Sequence, residues 1–433
     1  MIYAYRNCKR DPLVNPAFYL IFFQLISFVG TVTVLNFSNT IDVTYFFIYV
    51  VGVLSYILGL YVGGIIFPVT NSTVSRWKSN PFLVEGASTY TLNIFSFLIL
   101  SSIVCGLYFY AVGYNVFLLG ISELFSQGKI TQDISTLRLA SYNSQLTGDY
   151  FYPGYVNQFK DTLFPLCIFY LWGRQGLFPN NNINNSPKIF LWAFTLISLI
   201  SILGTGQRGA FVLVLIMGGA FILTILPKKR KKKVVLFGGT IMLSFFMIST
   251  FINGRTGSDE FTLTGVLQAI WERIFSDNQW SAAIGFRELI YKSPIQWGGE
   301  WLEAFYGLAP GHPGSMLAND IGQFIYGGYG TSPPSNFGSI YYNFGWIGIV
   351  IFPFFFSLLM RYLYQRFYKK PKFLFRVLIY ISGFVLMGTW LAGNPIEYFF
   401  NAGLIAIIFF KYILSTLRKS FPQKWFSYFP QKI

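Results

Sequence analysis

Apolar runs of about 18 to 24 residues recur along the chain, broken by short polar stretches, and this spacing sets the architecture. A helix rises about 1.5 Å per residue, so each run is long enough to cross a hydrocarbon core about 30 Å thick. Ten spans are expected, over residues 15–37, 44–67, 89–112, 157–173, 189–206, 209–227, 234–252, 339–361, 374–392 and 396–414. The fold class is therefore an all-α polytopic integral membrane protein of about ten transmembrane helices. The first run is too long for a cleaved leader and no small-residue cleavage site follows it, so it is expected to stay as a span. Span four is short and contains Pro165, which predicts a kinked or half-inserted segment. Spans five and six meet at Gly204-Thr205-Gly206-Gln207-Arg208-Gly209, with almost no linker.

The polar segments are unequal. Residues 113–160 form one outer loop, and residues 253–338 form a much larger one between the seven-span part (1–252) and the last three spans (339–414). In the large loop Val266, Ile270 and Ile274 recur at i+4, as do Leu267, Trp271 and Phe275. That periodicity predicts an amphipathic helix over 264–276 lying along a membrane surface, and a second helix is expected from Gln279 to Lys292. The loop ends in a Gly/Pro/Ser/Asn stretch, Ile325 to Val350, that runs directly into an apolar helix. Asn180 to Asn185 reads as a low-complexity linker, and residues 415–433 as a basic tail.

Composition agrees with this pattern: 54% of the 433 residues are hydrophobic and 11% charged, against about 25% charged in ordinary soluble domains. The formal net charge of +16 raises the question of nucleic acid. Twenty-four of the 32 Lys and Arg fall in alternate loops: Arg6 to Arg10, Arg76 and Lys78, Arg174 and Lys188, Lys228 to Lys233, Arg361 to Arg376, and the tail. This is the bias that orients membrane proteins, and it places both termini in the cytoplasm. The basicity is a topological signal, and no nucleic-acid partner is expected. Cys8, Cys105 and Cys167 are scattered, and His312 is the single histidine, so neither a disulfide framework nor a metal site is expected.

Chemistry is concentrated in the large loop, which holds His312, Arg255, Arg273, Arg287, four tryptophans and eight of the sixteen acids. Guanidinium forks onto two oxygens at once and suits pyrophosphate. Arg208, Arg255, Arg273 and Arg287 all fall at or just above the outer edge of the expected bilayer, where they could hold a lipid pyrophosphate. The rival reading for the last two is local pairing, Arg273 with Asp277 and Arg287 with Glu288. Trp297, Trp301, Tyr326, Tyr329 and Tyr341 are the candidate sugar-stacking aromatics. His312, held between turns in Ala-Pro-Gly-His-Pro-Gly, is the candidate general base or acceptor-orienting group, with Asp320 second and Glu300 and Glu303 as further rivals.

Two motifs carry a family resemblance. Pro334-Ser-Asn-Phe-Gly-Ser-Ile-Tyr-Tyr-Asn-Phe-Gly-Trp-Ile-Gly348 resembles the end of the outer loop in bacterial O-antigen and oligosaccharide repeat unit polymerases, the Wzy family. The turn from Gly204 to Ala210 is similar to the Ser/Gly-Arg-Gly turn between two middle spans of that family. The chain departs from the pattern at Ser339, where the family often has an acid. The resemblance implies a GT-C-like, metal-independent glycosyltransferase of the inner membrane that needs no cofactor. It would transfer a growing glycan from undecaprenyl pyrophosphate onto the sugar of an incoming lipid-linked repeat unit, on the periplasmic side, with a chain-length regulator as the protein partner the family suggests. The alternatives are an O-antigen ligase, which moves the finished glycan to lipid A–core, and a lipid-linked oligosaccharide flippase or transporter.

Overall fold

The computed structural model describes residues 12–83, 87–127, 137, 153–177, 188–252, 263–309, 312, 314–327 and 331–420. Among them the regular elements are helical, joined by two isolated backbone bridges, Leu83 with Phe373 and Ser335 with Ala392.

Helices α1 (Pro16–Val34) and α2 (Thr40–Ile66) begin at asparagine caps. The side chains of Asn15 and Asn39 accept from the N–H groups of Ala17 (3.1 Å) and Ile41 (2.9 Å), satisfying amides that no helical carbonyl reaches. The short α3 (Asn71–Ser79) and the long α4 (Ala87–Val112) follow, then α5 (Val116–Gln127). Next, α6 (Pro153–Asn157) passes through a π-helical stretch, Gln158–Leu163, into α7 (Phe164–Leu177). Helices α8 (Lys188–Gly204), α9 (Arg208–Ile225) and α10 (Lys228–Ile252) run almost back to back. Four short helices come next: α11 (Leu263–Phe275), α12 (Asp277–Gly285), α13 (Gly299–Tyr306) and α14 (Leu317–Tyr326). The chain closes with α15 (Asn336–Lys369), α16 (Leu374–Gly388), α17 (Pro395–Asn401) and α18 (Leu404–Ser420).

Four described helical stretches are long and apolar enough to cross a membrane: Pro16–Val34, Thr40–Ile66, Asn93–Val112 and Asn336–Lys369. Lys188–Gly204, Gly209–Ile225 and Leu374–Gly388 are shorter apolar helices. The expected amphipathic helix is present as α11. The expected helix from Gln279 to Lys292 ends early: α12 stops at Gly285 and a π turn, Phe286–Ile290, replaces its continuation. That turn keeps Phe286 and Ile290 buried while bringing Arg287 onto Asp42, at the start of α2. The expected tenth span is likewise divided, into α17 and α18, by a turn at Ala402 and Gly403 (φ 80°).

Helix α15 packs along α2 because three glycines of α2 remove the side chains that would hold it off. A Cβ at Gly52 would meet the Phe337 ring at 2.3 Å, one at Gly59 the Phe354 carbonyl at 2.3 Å, and one at Gly63 the Arg361 Cβ at 2.9 Å. Helix α16 is largely apolar beyond Arg376 in its first turn and buries twelve of its 15 residues between α1, α7, α9 and α18, the position such a sequence requires. At one end of the bundle Lys372 donates to the carbonyl of Asn80 (3.1 Å) and lies over the rings of Trp77 and Phe82. At the other end the α1–α2 turn, the N-terminus of α15 and the α16–α17 connection meet the short helices.

Candidate functional site

At this second end the chain buries a carboxylate. Gly298 adopts a left-handed conformation (φ 87°) just before α13, and the first turn of α13 points Glu300 inward, where it is 5% exposed. A buried charge is tolerable only when its hydrogen-bonding capacity is met, and three other segments supply donors. Ser315 Oγ (2.6 Å) and Asn394 Nδ2 (2.8 Å) donate to Oε1; Asn343 Nδ2 (2.8 Å) donates to Oε2, with Ser339 Oγ at 3.5 Å. This donor set matches an ionised carboxylate, which only accepts. Ser339 also accepts from Trp301 Nε1 (3.1 Å), and Asn343 Nδ2 also donates to the Ser339 carbonyl (2.9 Å). Gly345 kinks α15 two residues after Asn343 (φ 57°, ψ −150°), a conformation that favours glycine. The carbonyl of Tyr342, beside that kink, accepts from the Gln296 N–H (3.0 Å), tying α15 to the segment ahead of α13.

A second carboxyl stands next to the first. Asn394 caps α17: its Oδ1 accepts the Glu397 N–H (2.8 Å) while its Nδ2 holds Glu300, so one amide joins the two acid-bearing helices. Glu397 is partly buried and also takes a hydrogen bond from the Ser315 backbone. Burial first, and then the negative charge of Glu300, push its carboxyl up to about 7, against the opposing effect of the bonds from Asn394 and Ser315. The loop that supplies Ser315 is pinched shut where Gly307 meets Gly314 (φ 73°); a Cβ on Gly307 would lie 2.3 Å from the Gly314 Cα. One carboxylate held by donors beside a second acid near neutrality is an arrangement suited to general acid–base catalysis.

The sequence-predicted residues distribute unevenly around this pair. Glu300, named as a rival base, is at its centre, and Trp301 is beside it, edge-on to Phe344 (5.0 Å) and Phe352 (4.8 Å). Asp320 is exposed in the first turn of α14, yet it, Glu300 and Glu303 all act electrostatically on Tyr342. His312 is exposed in the pinched loop, its N–H donating to the Ala309 carbonyl (3.3 Å). Arg287 forks onto Asp42, Nε to Oδ1 at 2.9 Å and Nη2 to Oδ2 at 2.6 Å, so its partner is on α2 and not the neighbouring Glu288, which pairs with Lys292 (2.5 Å). Arg208 is the first residue of α9 and Arg273 lies in α11; their side chains, like Arg255 and Tyr329, are outside the described residues. Trp297 is 72% exposed with a strained backbone (φ 51°), and Tyr326 is exposed at the end of α14. Tyr341 is half-buried against Phe286 (5.4 Å) and Trp346 (6.0 Å).

Sequence reasoning passed over Glu397, Asn394 and Asn343. Asn394-Pro-Ile-Glu397 is legible as a helix start, a capping residue followed three positions later by an acid, with proline at the first helical position. At the start of the span expected over 396–414, it is masked by the apolar residues around it.

A second buried charge cluster lies nearby. Lys160, 0% exposed in the π-helical stretch, donates to Asp161 (2.5 Å) and to Thr205 Oγ1 (3.2 Å), in the turn that leads to Arg208. Among the described residues no group of three or more His, Cys, Asp or Glu comes together. No family model, no curated protein and no solved structure matches the chain.

Proposed function

We propose that the chain is a lipid-linked glycan polymerase of the O-antigen type, using Glu397 as general base and Glu300 as the fixed charge that tunes it. The single observation that carries this reading is the Glu300–Glu397 pair, closed on one side by the motif that resembles the Wzy polymerases. In that family an acid often stands at the position of Ser339. Ser339 instead lies against the Glu300 carboxylate (3.5 Å), so α13 delivers an acid to the same place.

In this reading the acceptor hydroxyl gives its proton to the Glu397 carboxylate as its oxygen bonds to the anomeric carbon of the donor. The bond from that carbon to the pyrophosphate oxygen breaks, and undecaprenyl pyrophosphate leaves as the anion. Positive charge stabilises that leaving group, and Arg208 at the start of α9 is the residue assigned to it. Arg255 and Arg273 remain candidates on the same grounds, while Arg287 is committed to Asp42. Exposed Trp297 and Tyr326 and half-buried Trp301 would line the glycan path.

The topology belongs to the same proposal. The ten spans are α1, α2, α4, α6 with α7, α8, α9, α10, α15, α16 and α18, with α17 standing outside the last of them. The basic end faces the cytoplasm with both termini, and the acid pair faces the periplasm of a bacterial inner membrane. Glycan analysis of a deletion strain tests the reading. Single repeat units on lipid A–core support it. Uncapped lipid A–core would instead indicate a ligase, and lipid-linked repeats trapped in the cytoplasm would indicate a flippase.

A further inference from the structure

The π-helical stretch Gln158–Leu163 touches neither acid, yet two of its faces reach the two halves of the proposed site. On one face Gln158 Nε2 donates to the Phe400 carbonyl and Thr162 Oγ1 donates to the Ala402 carbonyl (3.0 Å), at the end of α17. Gly403 closes this contact: a Cβ there would sit 1.9 Å from Thr162 Oγ1. One turn earlier, the Tyr155 ring packs edge-on against Phe400 (5.4 Å) and its hydroxyl donates to the Leu308 carbonyl, in the segment that leads to Ser315. Residues 158 and 162, four apart, share one side of the helix, and residue 160, midway between them, faces away. There Lys160 holds Thr205, three residues before Arg208.

We propose that this stretch is a positioning element that sets the register between α17 and the Gly204–Arg208 turn, with Gln158 and Thr162 holding the helix and Lys160 holding the turn. An apolar side chain could fill the volume of Lys160, but a buried ammonium is retained only with partners, and its bonds are directional where packing is not. The inference rests on the functional reading to the extent that it treats the turn as the pyrophosphate-holding half.

The test uses the purified full-length chain and two readouts. One is the infrared titration of the Glu397 carboxyl, taken as the difference from Glu397→Gln; the other is the affinity for undecaprenyl pyrophosphate. Around Glu397 the other titratable groups are Glu300, Glu303 and Tyr306 on α13, Tyr155 on α6, Tyr398 on α17 itself and His312 in the loop that supplies Ser315, with none in the first turn of α18. The pair Gln158→Leu/Thr162→Val should let water reach Glu397 and move its titration to lower pH, leaving lipid affinity unchanged. The pair Lys160→Met/Asp161→Asn, which removes both charges together, should weaken lipid binding about ten-fold, the scale of one lost charge-assisted hydrogen bond, and leave the titration in place. Thr205→Val is the milder variant of this second arm and should act the same way. Variants that move both readouts together, or neither, would show ordinary packing and overturn the proposal. A wild-type chain that binds no pyrophosphate lipid sinks the functional reading alone. The register is then judged on the titration, which the first pair must move and the second must not.

Discussion

The molecule buries two charge clusters close to one another, and they are built on opposite principles. Lys160 and Asp161 carry opposite charges, are adjacent in sequence and meet at 2.5 Å. Each partly offsets the other's desolvation. Glu300 and Glu397 carry the same charge on different helices, and no described cation is paired with either. Burial of Glu397 and then the charge of Glu300 beside it both favour the proton, which is why its carboxyl stands near neutrality. The lesson of the contrast is that buried charge alone does not mark a catalytic site. Charge left uncompensated by the fold is the better guide, because it is stable only if something that comes and goes completes it.

The largest effect that would break this comparison is on rate. Glu397→Gln should lower polymerisation by about 10²–10⁴-fold with normal membrane insertion, the usual contribution of a general base. A polymer of normal length from that variant would return the role to His312 or Asp320. On the other cluster, Lys160→Met alone leaves Asp161 buried without its partner and should destabilise the chain by about 3–5 kcal/mol. Adding Asp161→Asn should restore most of that loss, as read by thermal unfolding in detergent.

A smaller effect sharpens the assignment of roles within the acid pair. If Glu300 tunes Glu397, then Glu300→Gln removes a charge that raises Glu397, and the acid limb of the rate profile should move to lower pH. Wild-type activity should rise as pH increases through about 7. The same shift has a sign in stability. The folded carboxyl lies above its ordinary value of 4.5, so folding takes up a proton between that value and about 7, and stability falls as pH rises through this window. Glu397→Gln should lack that fall, and an unfolding midpoint with the wild-type pH dependence would remove Glu397 as its source. The smallest effect lies outside both clusters. Trp297→Gly should stabilise the chain by about 1 kcal/mol by relieving its left-handed backbone, while weakening glycan binding if the indole stacks on sugar.

The sequence alone determined what depends on neighbours along the chain. The apolar runs located the long helices, and the i+4 spacing from Val266 to Phe275 located α11. The segregation of Lys and Arg and the glycine-rich turns were legible for the same reason. Tertiary structure decided what depends on which surface lies opposite. Arg287 reads in sequence as the neighbour of Glu288, but its fork closes on Asp42, 245 positions away. Glu300 and Trp301 were legible as candidates, while their setting was not, since Asn394 reaches Glu300 across 94 positions. Lys160 gave no sign of its buried contact with Thr205. Helical periodicity reports which side of an element is apolar, whereas hydrogen bonds and charge coupling act over a few ångströms. Those distances are set only when α13, α15 and α17 pack together.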